Sequence, residues 1–137
     1  KHARSRTSEE CWTLARKAAD LEHWDESRSW LEKAEKLNRF LPQVHYLRGL
    51  IEQHSGNADA AFASLRRALY CDPNFVLAHY TLGECYLKRG SQREAKRHWL
   101  LARTLLSGLD AQVLLPFTED LTVEMLNELV MHRLEQL

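Results

Sequence analysis

Small and apolar residues recur along this chain at helical spacing, and the pattern repeats. Shifted by 34 residues against itself, the sequence aligns Ala15 with Gly49 and Gly83, Ser27 with Ala61 and Ala95, Leu31 with Leu65 and Trp99, and Ala34 with Ala68 and Ala102. Self-similarity at a fixed period is the signature of a repeat architecture. Three units follow, 8–41, 42–75 and 76–109, each reading as helix, short turn, helix. The small columns have a physical cause, since paired helices approach closely only where the facing side chain is Gly, Ala or Ser. Local signals keep the same register. Thr7-x-x-Glu10 and Ser91-x-x-Glu94 read as capping boxes, and Pro42 suits a first helical position. Gly56-Asn57 and Gly90-Ser91 supply a helix stop followed by a helix start, with Glu22-His23 at the equivalent place in the first unit.

After Leu109 the period ends, and Pro116 with Thr118-Glu119-Asp120 marks a connecting loop over 110–121. A seventh helix is expected over 122–137, capped by Thr122, stapled by Leu121 and Leu126, with an apolar stripe of Leu126, Leu129, Val130, Leu134 and Leu137. A repeat array needs an atypical end piece to cover its last exposed face. This helix is expected either to cap the third unit in that way or to lie in a binding groove or dock on a partner. The predicted fold class is all-α, a solenoid of three helix-turn-helix repeats plus a C-terminal capping helix.

Composition narrows the function. With 137 residues and 45% hydrophobic content the chain has enough apolar material for a core without staples. Nineteen basic residues stand against nineteen acidic ones, so neither nucleic acid nor an anionic membrane is favoured electrostatically. A protein or peptide partner is expected. The start, residues 1–7, reads as a polar linker whose Lys1–Arg6 stub carries no structural signal, and a piece of a longer protein is the expectation. Cys11, Cys71 and Cys85 are odd in number and lack Cys-x-x-Cys spacing, which suits buried thiols in a reducing cytoplasm.

The period and the small-residue offsets resemble the tetratricopeptide repeat, whose pattern is Trp-x2-Leu-Gly-x2-Tyr, then Ala-x3-Phe, then Pro. The third unit fits best, with Leu82, Gly83, Tyr86, Ala95, Trp99 and Ala102 in place, while Pro73 closes the second. Arg48 and Glu52 stand where the pattern is apolar, and the first unit has Ala15 for glycine and Arg39 for proline.

A narrower resemblance covers roughly residues 42–134. The stretch Arg67-Ala-Leu-Tyr-Cys-Asp-Pro-Asn-Phe-Val-Leu-Ala-His-Tyr-Thr-Leu-Gly83, with Ala95-Lys-Arg-His-Trp-Leu-Leu-Ala102 and Leu114-Leu-Pro-Phe-Thr-Glu-Asp-Leu-Thr122, is similar to the repeat domain of CheR-type chemoreceptor methyltransferases. That resemblance implies a parent enzyme using S-adenosylmethionine, with this chain as its regulatory arm. The chain itself is expected to be no enzyme and to hold no cofactor, because its five glycines fall at repeat or turn positions and not in a glycine-rich loop after a strand.

In tetratricopeptide domains the first helix of each unit lines the concave face. The resemblance therefore implies a partner-binding groove built from Trp12, Arg16 and Ala19, then Tyr46, Leu50 and Gln53, then Tyr80, Glu84 and Leu87, residues that share a helix face at spacings of four and seven. Aromatics recur at one offset, as anchors with polar tips or as padding between units. The Lys and Asn with which chaperone-binding members clamp acidic tails are missing at these offsets. Cys11, His45 and His79 share a repeat offset, but zinc would need a fourth ligand and closer spacing, so packing is expected and no metal. Arg66-Arg67, Lys88-Arg89, Arg93 and Lys96-Arg97 alternate with acids and read as a solvated face, or else as a local positive patch on the third unit that steers an acidic receptor surface.

The expected function is a protein-interaction or regulatory domain of a chemotaxis-type protein-glutamate methyltransferase, cytoplasmic, binding a chemoreceptor cytoplasmic segment, a signalling partner or its own methyltransferase domain. The alternative is a scaffold module of a non-methyltransferase complex, of the pilus or secretion accessory type.

Overall fold

A computed structural model describes residues 5–137, so the first four residues of the polar stub lie outside the described residues. Among the described residues seven helices follow in order: α1 (Ser8–Asp20), α2 (Trp24–Leu37), α3 (Pro42–His54), α4 (Ala58–Cys71), α5 (Val76–Lys88), α6 (Gln92–Ser107) and α7 (Val123–Glu135). The one extended pairing among the described residues is an isolated bridge between Leu114 and Thr122. The chain divides into two compact units, one ending at Asp72 and the other running Pro73–Leu137.

In the first unit α1 packs on α2 and α3 on α4, and the small columns lie where the partners meet. Ala15 and Ala61 are fully buried. A Cβ added to Gly49 would sit 2.8 Å from Leu65 Cγ. The Ser27 hydroxyl donates to the Ala15 carbonyl at 2.7 Å, so a buried polar column residue is satisfied by the facing backbone. Cys11, Ala15, Leu31, Ala34, Val44 and Ile51 form the core, with Trp12, Trp24 and Trp30 packed around it.

The second unit pairs α5 with α6 and lays α7 against α6. Here the close approach is tightest, since a Cβ on Gly83 would fall 2.3 Å from Trp99 Nε1. Trp99 is fully buried, and its indole N–H donates to the Tyr80 carbonyl at 3.1 Å. On α7 the buried residues are Val123, Leu126 and Val130. The expected stripe is corrected by this: Leu129 and Leu137 are exposed, because the face presented to α6 is set from Val123 onward.

The turns repeat in detail. Glu22, Gly56 and Gly90 all have positive φ, at +61°, +83° and +83°. The following N–H closes back on the helix each time, His23 to Ala18, Asn57 to Glu52 and Ser91 to Tyr86, at 2.8, 2.9 and 3.0 Å. This is a Schellman-type stop, which favours glycine at the positive-φ position. The box at Thr7 forms as expected, the hydroxyl accepting from the Glu10 N–H and the Glu10 carboxylate from the Thr7 N–H. The box expected at Ser91 does not. The preceding turn leaves Ser91 at ψ 82°, against 167° and 164° at the capping residues Thr7 and Thr122, and Glu94 instead pairs with Arg97 at 3.0 Å.

Candidate partner-binding faces

The columns expected to meet a partner fall on the first helices, α1, α3 and α5. Trp12, Arg16, Ala19, Tyr46, Leu50, Gln53, Tyr80, Glu84 and Leu87 are all partly buried, neither sunk in the core nor standing in solvent. The columns on α1 and α3 belong to the first unit, where those helices touch each other directly. There the Arg16 guanidinium lies 5.7 Å from the Trp12 ring centroid. The column on α5 belongs to the second unit.

On that α5 column the structure adds a residue that the repeat pattern does not contain. Arg133 of α7 donates to the Glu84 carboxylate, and its side chain also hydrogen-bonds Tyr80. The Tyr80 bond is the leading cause, with Glu84 contributing, of a guanidinium held above even its ordinary range. Two of the three expected residues of this column are thus tied to the last helix. The polar face of α5 therefore presents an arginine-carboxylate-tyrosine group, not a bare row of anchors.

His45 and His79 serve the fold. Each ring places Nε2 on a carbonyl of the loop before its own helix, Arg39 at 2.8 Å and Pro73 at 2.7 Å. His79 also meets buried His98, Nδ1 to Nδ1 at 3.0 Å, while an Arg97 nitrogen approaches His98 Nε2 at 3.3 Å. One proton assignment serves all of these bonds: Arg97 donates to His98, His98 to His79, and His79 to Pro73. The equivalent of His98 in the second repeat is Ser64, and there His45 Nδ1 is buried with no hydrogen-bond partner. Among the described residues no group of three or more potential ligands gathers that could hold a metal ion. No helix among them is long and apolar enough to cross a membrane.

Comparison with known proteins agrees with the helical period. Two tetratricopeptide-repeat family models match, one over residues 42–75 and another, staggered against it, over 64–97. No curated protein matches the chain by sequence. Among solved structures, the Yersinia enterocolitica type III secretion chaperone SycD, in complex with a peptide of the translocator YopD, aligns with a TM-score of 0.79 at 20% identity, over 99% of this chain and 95% of that one. PcrH from Pseudomonas aeruginosa aligns equally well, TM-score 0.79 at 19% identity and the same coverage. MamA aligns at 0.69 with 20% identity, over 74% of this chain and 60% of its own. At such identities the likeness shows the fold. Neither the family matches nor these structures link the chain to a CheR-type methyltransferase. Residues 42–97 carry tetratricopeptide repeats, and the described residues have an all-α helical-repeat fold.

Proposed function

We propose that this chain is a non-catalytic interaction module whose units each offer a protein partner the columns of their own first helices, in the manner of a secretion accessory or chaperone. The observation that carries this reading is the uniform partial burial of those columns, which leaves amphipathic side chains such as Trp12, Tyr46 and Gln53 neither sunk in the core nor standing in solvent. The fold likeness supports it, since SycD is described in complex with a peptide of the translocator YopD and PcrH in complex with the chaperone-binding region of PopD. The second reading, a regulatory domain of a chemotaxis-type methyltransferase acting on receptor segments or its own catalytic domain, is favoured by the sequence resemblance at Arg67–Gly83 and Leu114–Thr122.

The test begins with peptides selected from a displayed library on the full chain, compared by calorimetry with chemoreceptor cytoplasmic segments. Replacing Tyr46 and Tyr80 with Ala is expected to weaken the selected peptides by about 2 kcal/mol, roughly thirtyfold, while helicity survives. Equal affinity in a folded double variant removes the columns from the site. Binding confined to receptor segments favours the second reading.

A further inference from the structure

Besides the columns, the first unit holds an open pocket of about 450 Å³ beside the start of α1 and the second half of α2. Arg6, Cys11, Trp30, Lys33, Lys36 and Leu37 line it. Trp30, Lys33 and Leu37 come at spacings of three and seven along α2 and so share a helix face. The Arg6 guanidinium lies 5.3 Å and the Lys33 ammonium 4.5 Å from the Trp30 ring centroid, so two cations are gathered on one indole. Lys36 adds a third.

What the pocket lacks is as informative as what it holds. No carboxylate lines it, although α1 and α2 are rich in acids. Several of those acids are engaged elsewhere: Glu10 accepts from the Thr7 N–H at 2.8 Å, Glu26 lies 3.7 Å from His23, and Glu35 pairs with Arg48 at 2.8 Å. In a chain with equal numbers of basic and acidic residues, this local surplus comes from placement and not from composition. Beside the charges lie apolar surfaces, the indole of Trp30 and Leu37, which is 58% exposed.

We propose that this pocket binds an acidic protein segment, with carboxylates meeting Arg6, Lys33 and Lys36 and one apolar side chain resting on Trp30 and Leu37. A protein segment is favoured over nucleic acid because the chain has no net positive charge to hold an extended polyanion, whereas a short apolar-acidic motif matches both halves of the lining. The inference goes beyond the columns and uses a different set of side chains, so either can fail alone.

The test uses the full chain and fluorescein-labelled ten-residue peptides of Asp and Glu around a central Leu or Phe, read by anisotropy. Their Lys/Arg counterparts and a ten-residue oligo-dT are the comparators. The acidic peptides are expected to bind at low salt and to weaken steeply as salt rises. Lys33→Glu with Lys36→Glu, both exposed, is expected to lose at least tenfold in affinity with unchanged helicity. Arg93→Glu with Lys96→Glu in the other unit makes the same charge change and is expected to bind as wild type. Absence of acidic-peptide binding overturns the proposal, as does equal loss in the two charge-reversed variants. Tighter binding of oligo-dT through Lys33 and Lys36 overturns it in favour of nucleic acid.

Discussion

Adding a single methyl group at Gly83 tests the packing on which the repeat fold rests. The new Cβ would lie 2.3 Å from Trp99 Nε1 and 2.6 and 2.7 Å from two further indole atoms, distances at which the ring must move. Moving it overpacks a fully buried side chain, at about 1–3 kcal/mol, and strains the indole's bond to the Tyr80 carbonyl, which contributes about 1 kcal/mol. Alanine's better helix propensity returns about 1 kcal/mol. The expected net loss for Gly83→Ala is therefore about 1–3 kcal/mol. Gly49→Ala is the graded comparison. There the nearest atoms, at 2.8 and 2.9 Å, belong to the Leu65 side chain, which can rotate, so the same propensity gain leaves the change near neutral. A double-mutant cycle isolates the cause, because Trp99→Leu with Gly83→Ala reproduces the Ala15 and Leu31 combination of the first repeat. In the Trp99→Leu background the added methyl is expected to cost nothing or to stabilise. Urea unfolding followed by circular dichroism reads all four proteins. If Gly83→Ala proves as stable as wild type, or its cost persists without the indole, the close-approach argument is wrong.

Glu22→Gly is expected to stabilise the first unit by about 0.5–1 kcal/mol, since the residue sits at φ +61° where its repeat equivalents are glycine; a melting temperature that falls would refute this. His98→Ala is expected to destabilise by about 1–3 kcal/mol through the buried Nδ1 of His79 that it leaves without His98, measured by the same unfolding assay. Burial raises the thiol pKa of Cys71, reinforced by Asp72, and that of Cys85. A raised thiol pKa means less thiolate at a given pH, so iodoacetamide should modify both more slowly than free cysteine at pH 8 and the rate should keep climbing above pH 9. Reaction at the free-thiol rate in the folded chain would contradict the placement of both residues.

Much of the fold was legible because a repeat states its contacts several times. Gly49 with Leu65 and Gly83 with Trp99 meet as the aligned columns imply, and Thr7 and Thr122 cap as their neighbours suggest. Ser91 misled because a capping pair says nothing of the backbone angles that a positive-φ glycine imposes on the residue after it. Arg133 could not be read from the period, since α7 lies outside it and its contact with Glu84 spans 49 residues. The Trp30 pocket was hidden for a related reason: Arg6 comes from the segment before α1, and a charge run shows neither which cations converge nor where the nearby acids are spent. The partial burial of the columns follows from helix spacing, whereas the occupant they accept is written in no single residue.

Hydrogen exchange of the full chain with and without a selected peptide tests the assignment of the binding face most directly. Amides of α1, α3 and α5 are expected to gain protection around Trp12, Tyr46 and Tyr80, with little change in α2, α4 and α6. Protection confined to the second helices, or to α7, would contradict a partner site on the first-helix columns.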